Sequence, residues 1–257
     1  MNSTPDLMQT DPALELANGG RTSCASVSIT NSLGWLADNG FADLTLMDPA
    51  GERTHTATAQ ALDRHFGIPH SGGILPPRLV SELSRFLLAR GYQPTDFCLE
   101  YQGWLVSNGD AQAPSIDVVK RGIIGTSAVW LLVGFYRYDN DTDEYVLLSH
   151  HYVTLVGYGL DGSGSADPSI LIIHDPAPRS GEGISHDHVR LEPIDSGTLM
   201  VDPGSRLEPH YPQLPVAAAG YYKLAGELAY NPEADVAILD AAVILRMDAS
   251  QGSALPN

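Results

Sequence analysis

Residues 150–159 read HHYVTLVGYG, and residues 170–176 read ILIIHDP. The first stretch strings Tyr152, Val153, Leu155 and Val156 behind a histidine pair, the composition of a strand laid on a buried, pleated surface. The second is an apolar run closed by Pro176, which cannot donate a ladder hydrogen bond and so ends a strand. A histidine therefore heads one strand and Asp175 stands at the exit of the next. Side chains alternate along a strand, so only one of His150 and His151 faces a given partner. His151, at the head of HYVTLVGYG, is taken as that one.

Outward from this pair, SAVWLLVGFYRY (127–138) reads as a buried strand and DNDTDE (139–144) as a turn. Tyr145 to Leu148 and His151 to Tyr158 are expected as two strands, LDGSGSADPS (160–169) as a long loop and Ile170 to His174 as a strand. Upstream the period changes from two to about 3.6. Helices are expected within 23–38, 57–66 and 77–90, the last with proline at its start and Gly91 at its end, and a Ser-capped helix at 115–124. Phe97 to Tyr101 reads as a short strand. Beyond Pro176 the chain is punctuated by glycine and proline up to Pro215, followed by a helical or extended segment (216–230) and a strongly apolar strand, VAILDAAVILRM (236–247). Helices first and strands second make an α+β protein rather than a run of βαβ units.

The 257 residues are 43% hydrophobic and 18% charged, an ordinary balance for a chain that buries a core. Lys plus Arg number 14 against 31 Asp plus Glu, a net charge of −17, so the surface field repels phosphates and anionic headgroups. Nucleic acid and membrane are accordingly not expected partners. The start, MNSTPDLMQTDPALEL, lacks a basic segment followed by an apolar one, and no apolar run reaches the roughly 20 residues of a membrane span. A soluble, cytoplasmic chain is the expectation. Residues 1–17 show no period and are expected to form a flexible or loosely docked arm, 18–178 the core, and 179–257 an extension completing or covering the same domain.

Two cysteines are too few for a disulfide framework, and no paired spacing suggests zinc. Cys24 is placed at a helix start, where the dipole and free N–H groups stabilise a thiolate, and Gly19 and Gly20 precede it. Cys98, in DFCLEY, is expected to be a core residue. Asp139, Asp141 and Asp143 alternate, but Glu144 stands where a calcium loop needs glycine, so a solvated turn is the reading. His186 and His188 lack a third ligand for a metal. Neither a metal nor a cofactor is expected.

Cys24, then His151, then Asp175 is the order of the papain-like cysteine peptidase superfamily. GTSAVWLLVG, HHYVTLVGYG and ILIIHDPAP resemble segments of its bacterial branch of bacteriocin-processing, double-glycine leader peptidases, over roughly residues 18–178. The resemblance implies a papain-like fold with the nucleophile helix packed on an antiparallel sheet. It also implies a Cys24–His151–Asp175 triad acting on a peptide or protein substrate. The superfamily places Gln six residues before the nucleophile as oxyanion donor; this chain has Asn18, a shorter amide. Two other readings share the residues: a silent member of the fold that binds a peptide, and an amidase or transpeptidase acting on a small peptide.

Overall fold

The computed structural model describes residues 3–67, 73–103, 112–179, 183–201, 215–228 and 231–248. Its helices are α1 (Cys24–Asp38), α2 (His55–Phe66), α3 (Pro76–Ala89) and α4 (Ile116–Arg121). Its strands are β1 (Leu46–Met47), β2 (Arg53–Thr54), β3 (Phe97–Gly103), β4 (Ser127–Asp139), β5 (Glu144–Leu160), β6 (Ala166–His174), β7 (Asp187–Pro193), β8 (Thr198–Val201), β9 (Val216–Ala217), β10 (Tyr222–Gly226) and β11 (Val236–Met247). The architecture is α+β, with three of the four helices preceding a large sheet.

That sheet closes on itself. β4 pairs with β5, β5 with β6, β6 with β7, β7 with β10, β10 with β11, and β11 returns to β4, so six strands form a ring. Closure removes edges that would otherwise expose unpaired backbone. The two longest strands are shared: β5 gives residues 154–160 to β6 and 144–147 to β8, while β11 also carries β3. The β5–β8 pairing is parallel, so the sheet is mixed rather than wholly antiparallel.

The ring explains the continuous apolar runs. Val129, Leu131, Val133, Val153, Leu171 and Ile244 fill its interior, whereas Trp130, Leu132, Tyr136, Ile238 and Val243 lie on the outer face beneath α1, α2 and α3. β4 and β11 are thus buried on both sides, which is why neither alternates with polar residues.

α1 is enclosed as well: every residue from Ala25 to Gly34 is buried. Its small polar residues allow close approach and hydrogen-bond to what surrounds them. Ser28 Oγ donates to the Tyr152 carbonyl (2.9 Å), and the Ser28 carbonyl accepts from Trp130 Nε1 (3.1 Å) and Thr154 Oγ1 (2.8 Å). These bonds fix the first half of α1 against β4 and β5, and with it the position of Cys24.

Several sequence expectations are corrected. The segment 144–160 is one strand, not two, and the loop after it shrinks to 161–165 because Asp161 Oδ1 accepts from the backbone N–H groups of Ser163 (2.9 Å) and Ser165 (2.8 Å), folding a tight turn. Ser115 makes no side-chain cap, and its helix ends at Arg121. Residues 216–217 and 222–226 are extended, in β9 and β10, with a turn between them. Cys98 is exposed rather than in the core: on β3 it is Phe97, Leu99 and Tyr101 that pack inward, and Cys98 takes the opposite face. The arm expected to be flexible or loosely docked is held from Thr4 to Leu16. Thr4, Gln9, Leu14 and Leu16 are buried, and Leu14 and Leu16 pack on Val27 and Ala59. Among the described residues no helix is long and apolar enough to cross a membrane.

Candidate active site

Cys24, His151 and Asp175 come together although 127 and 24 residues separate them in sequence, by the positions 24, 151 and 175. His151 shares the parity of Val153 and Leu155, the ring-interior side of β5. It lies just past Thr154, the last β5 residue paired with β6, where the ring ends. Asp175 immediately follows His174, the partner of Thr154, so the carboxylate emerges at the same end.

His151 Nε2 meets Asp175 Oδ1 at 2.6 Å. Asp175 Oδ1 also accepts from the Ala177 N–H at 2.8 Å, a local turn that fixes the carboxylate. With Nε2 occupied by Asp175, Nδ1 is the nitrogen left to interact with the Cys24 thiol. Phe135 stacks on the imidazole at 6.4 Å and covers one face. His151 and Asp175 are 9% and 4% exposed, and Cys24 as a residue is partly buried.

The electrostatics follow from this packing. Desolvation alone would raise the thiol, but the hydrogen bond and charge of His151, aided by the Tyr152 and Ala25 backbone N–H groups, hold Cys24 below its ordinary value. Desolvation alone would likewise lower His151, but the charge and hydrogen bond of Asp175, together with Cys24, raise it to about 10. Each group thus favours the charged form of the other, the thiolate on Cys24 and the imidazolium on His151. The N-terminus of α1 adds to this, because Ser23 makes no side-chain cap and leaves first-turn N–H groups available to an anion.

Of the remaining residues singled out in the sequence, Asn18 lies in a single 3-10 turn, Ala17–Gly20, just before α1; its side chain falls outside the described residues. His186 and His188 do not converge: His186 Nδ1 meets His174 Nε2 at 3.0 Å, and His188 faces Glu227. Among the described residues no three His, Cys, Asp or Glu side chains gather as metal ligands.

The structure also shows a pairing the sequence reading lacks. His150 Nε2 meets Asp240 Oδ2 at 2.8 Å, and Tyr136 donates its hydroxyl to Asp240 Oδ1 at 2.8 Å. Asp240 is fully buried, and burial pushes its carboxyl up despite His150 and Tyr136. Gly134 leaves the room: a Cβ there would stand 2.1 Å from Asp240 Oδ2. A lone carboxylate inside the apolar run VAILDAAVILRM is the signal that marks it.

Comparison with known protein families and with curated proteins finds no match for this chain.

Proposed function

We propose that this chain is a papain-like cysteine hydrolase that cleaves a peptide amide through a thioester on Cys24. The observation that carries the reading is the convergence of a helix-terminal thiol with an imidazole that itself meets a carboxylate at 2.6 Å.

The Cys24 thiolate attacks the amide carbonyl carbon, and the carbonyl electrons move to oxygen. The oxyanion takes hydrogen bonds from the Cys24 backbone N–H and from Asn18, which is given this role on its spacing before the nucleophile. Protonated His151 passes its proton to the leaving nitrogen, the C–N bond breaks, and an acyl thioester remains. Neutral His151 then takes a proton from water, which attacks the thioester; acid is released and Cys24 returns as thiolate. Asp175 holds the imidazole and stabilises its charged form throughout. Both cysteines are free thiols, which suits the reducing cytoplasm.

The test is labelling with a peptidyl epoxide followed by peptide mapping. Wild type and Cys98→Ala are expected to take one label, on Cys24; Cys24→Ala takes none and loses peptide hydrolysis. Equal labelling of Cys24→Ala and Cys98→Ala contradicts the assignment.

A further inference from the structure

Residues 5–9 cross the candidate site rather than trail from it. Three consecutive residues at the exit of β6 are tied to this segment. His174 Nδ1 donates to the Pro5 carbonyl (3.0 Å), and the Pro176 carbonyl accepts from the Gln9 N–H (2.8 Å). Between them, the Asp175 carbonyl accepts from Arg179 Nη1 (3.0 Å), and the same guanidinium grips Asp6, with Nη2 2.6 Å from Oδ2 and 2.9 Å from the Asp6 carbonyl. The Asp6 side chain is wholly buried, and its Oδ2 also accepts from the Ser185 N–H (2.7 Å).

The other side of the segment is tied to the nucleophile. The Leu7 N–H donates to Asn31 Oδ1 on α1 (3.1 Å), and Gln9 Nε2 donates to the Arg21 carbonyl (3.2 Å), three residues before Cys24. The Gln9 carbonyl crosses so near Gly20 that a Cβ there would lie 1.5 Å from it. The thiol and the carboxylate come from elements on opposite sides of this crossing, and no ladder of backbone bonds joins α1 to the end of β6.

We propose that the segment Pro5–Gln9 is a brace of the catalytic centre, in which Asp6 and Arg179 are positioning residues that hold Asp175 in line with His151 and Cys24. The proposal rests on the cysteine hydrolase reading. Its physical basis is that a charge-assisted hydrogen bond is sensitive to placement, so that releasing the Asp175 turn weakens the support Asp175 gives to the imidazolium, and hence to the thiolate. The charged and titratable groups that face this turn are Asp6, His174, His186 and Asp187.

The experiment is the rate of iodoacetamide alkylation of Cys24 against pH, on a Cys98→Ser background, for wild type, Asp6→Asn, Arg179→Met and Arg179→Lys, with circular dichroism confirming the fold. The brace predicts that the thiolate midpoint rises by about half a pH unit or more in Asp6→Asn and Arg179→Met, and that kcat for a peptide falls roughly ten- to a hundred-fold with little change in KM. Arg179→Lys, which keeps the charge, recovers part of both. A merely structural role lowers the melting temperature and leaves the midpoint of the folded protein unmoved. Folded variants with the wild-type midpoint and kcat overturn the brace alone; a wild-type midpoint at the ordinary thiol value overturns the hydrolase reading and the brace with it. Should Arg179→Met not fold, the isosteric Asp6→Asn decides.

Discussion

His151 presents Nε2 to Asp175 Oδ1 at 2.6 Å, and this contact decides which ring nitrogen faces the thiol. Because Asp175 supplies a negative charge as well as an acceptor, it both orients the ring and favours its protonated form.

Asp175→Asn separates these effects, since the amide keeps the shape and removes the charge. His151, held at about 10 in the native protein, falls toward its ordinary value. The imidazolium is then lost at lower pH, so the alkaline limb of kcat against pH moves down, with activity near neutrality reduced roughly 10²-fold or more. An alkaline limb in the same place contradicts the role given to Asp175.

The second pair, His150 with Asp240, lies on the opposite side of β5 from His151 and serves stability. Asp240→Ala takes the acceptor from His150 Nε2 and Tyr136 Oη inside the protein, and a loss of about 2–4 kcal/mol is expected in urea denaturation. The Cys24 alkylation midpoint of the folded variant stays at the wild-type value. A shifted midpoint would show that this pair reaches the Cys24–His151 pair.

Trp130→Phe removes the indole N–H that reaches the Ser28 carbonyl while Thr154 Oγ1 still donates there. A stability loss of about 1–3 kcal/mol is expected, from the missing bond and the smaller ring in a fully packed site. Unchanged stability contradicts the account of how α1 is fixed to the sheet.

Gly20→Ala puts a methyl group into the Gln9 carbonyl at a residue with φ of +74°, so neither rotation nor a side-chain shift relieves it. The arm is expected to lift, seen as faster proteolysis within residues 5–16 and faster amide exchange at Gln9. Wild-type protection of this segment runs against a tight crossing.

The strand that carries His151 and the one that leads to Asp175 are readable because both are apolar runs, the second closed by Pro176. Cys24 is readable from the helix pattern behind it. The closure of the ring is not, because β11 pairs with β4 about a hundred residues away and neither run alternates; burial on both faces erases the period that would orient them. The arm is opaque for another reason: apart from Leu14 and Leu16 it docks through backbone N–H and carbonyl groups and one buried ion pair, and two leucines leave no apolar period. Placing Cys98 in the core ran against a pattern that was visible, since FCLEYQG alternates and Cys98 falls on its polar side.

The most direct test of the central claim is the pH dependence of Cys24 alkylation in Cys98→Ser protein, measured with and without His151→Ala. The thiolate–imidazolium pair predicts a rate that rises with a midpoint clearly below the ordinary thiol value, and a midpoint that returns upward once His151 is removed. A midpoint near the free-thiol value of about 8.5 in both proteins contradicts it.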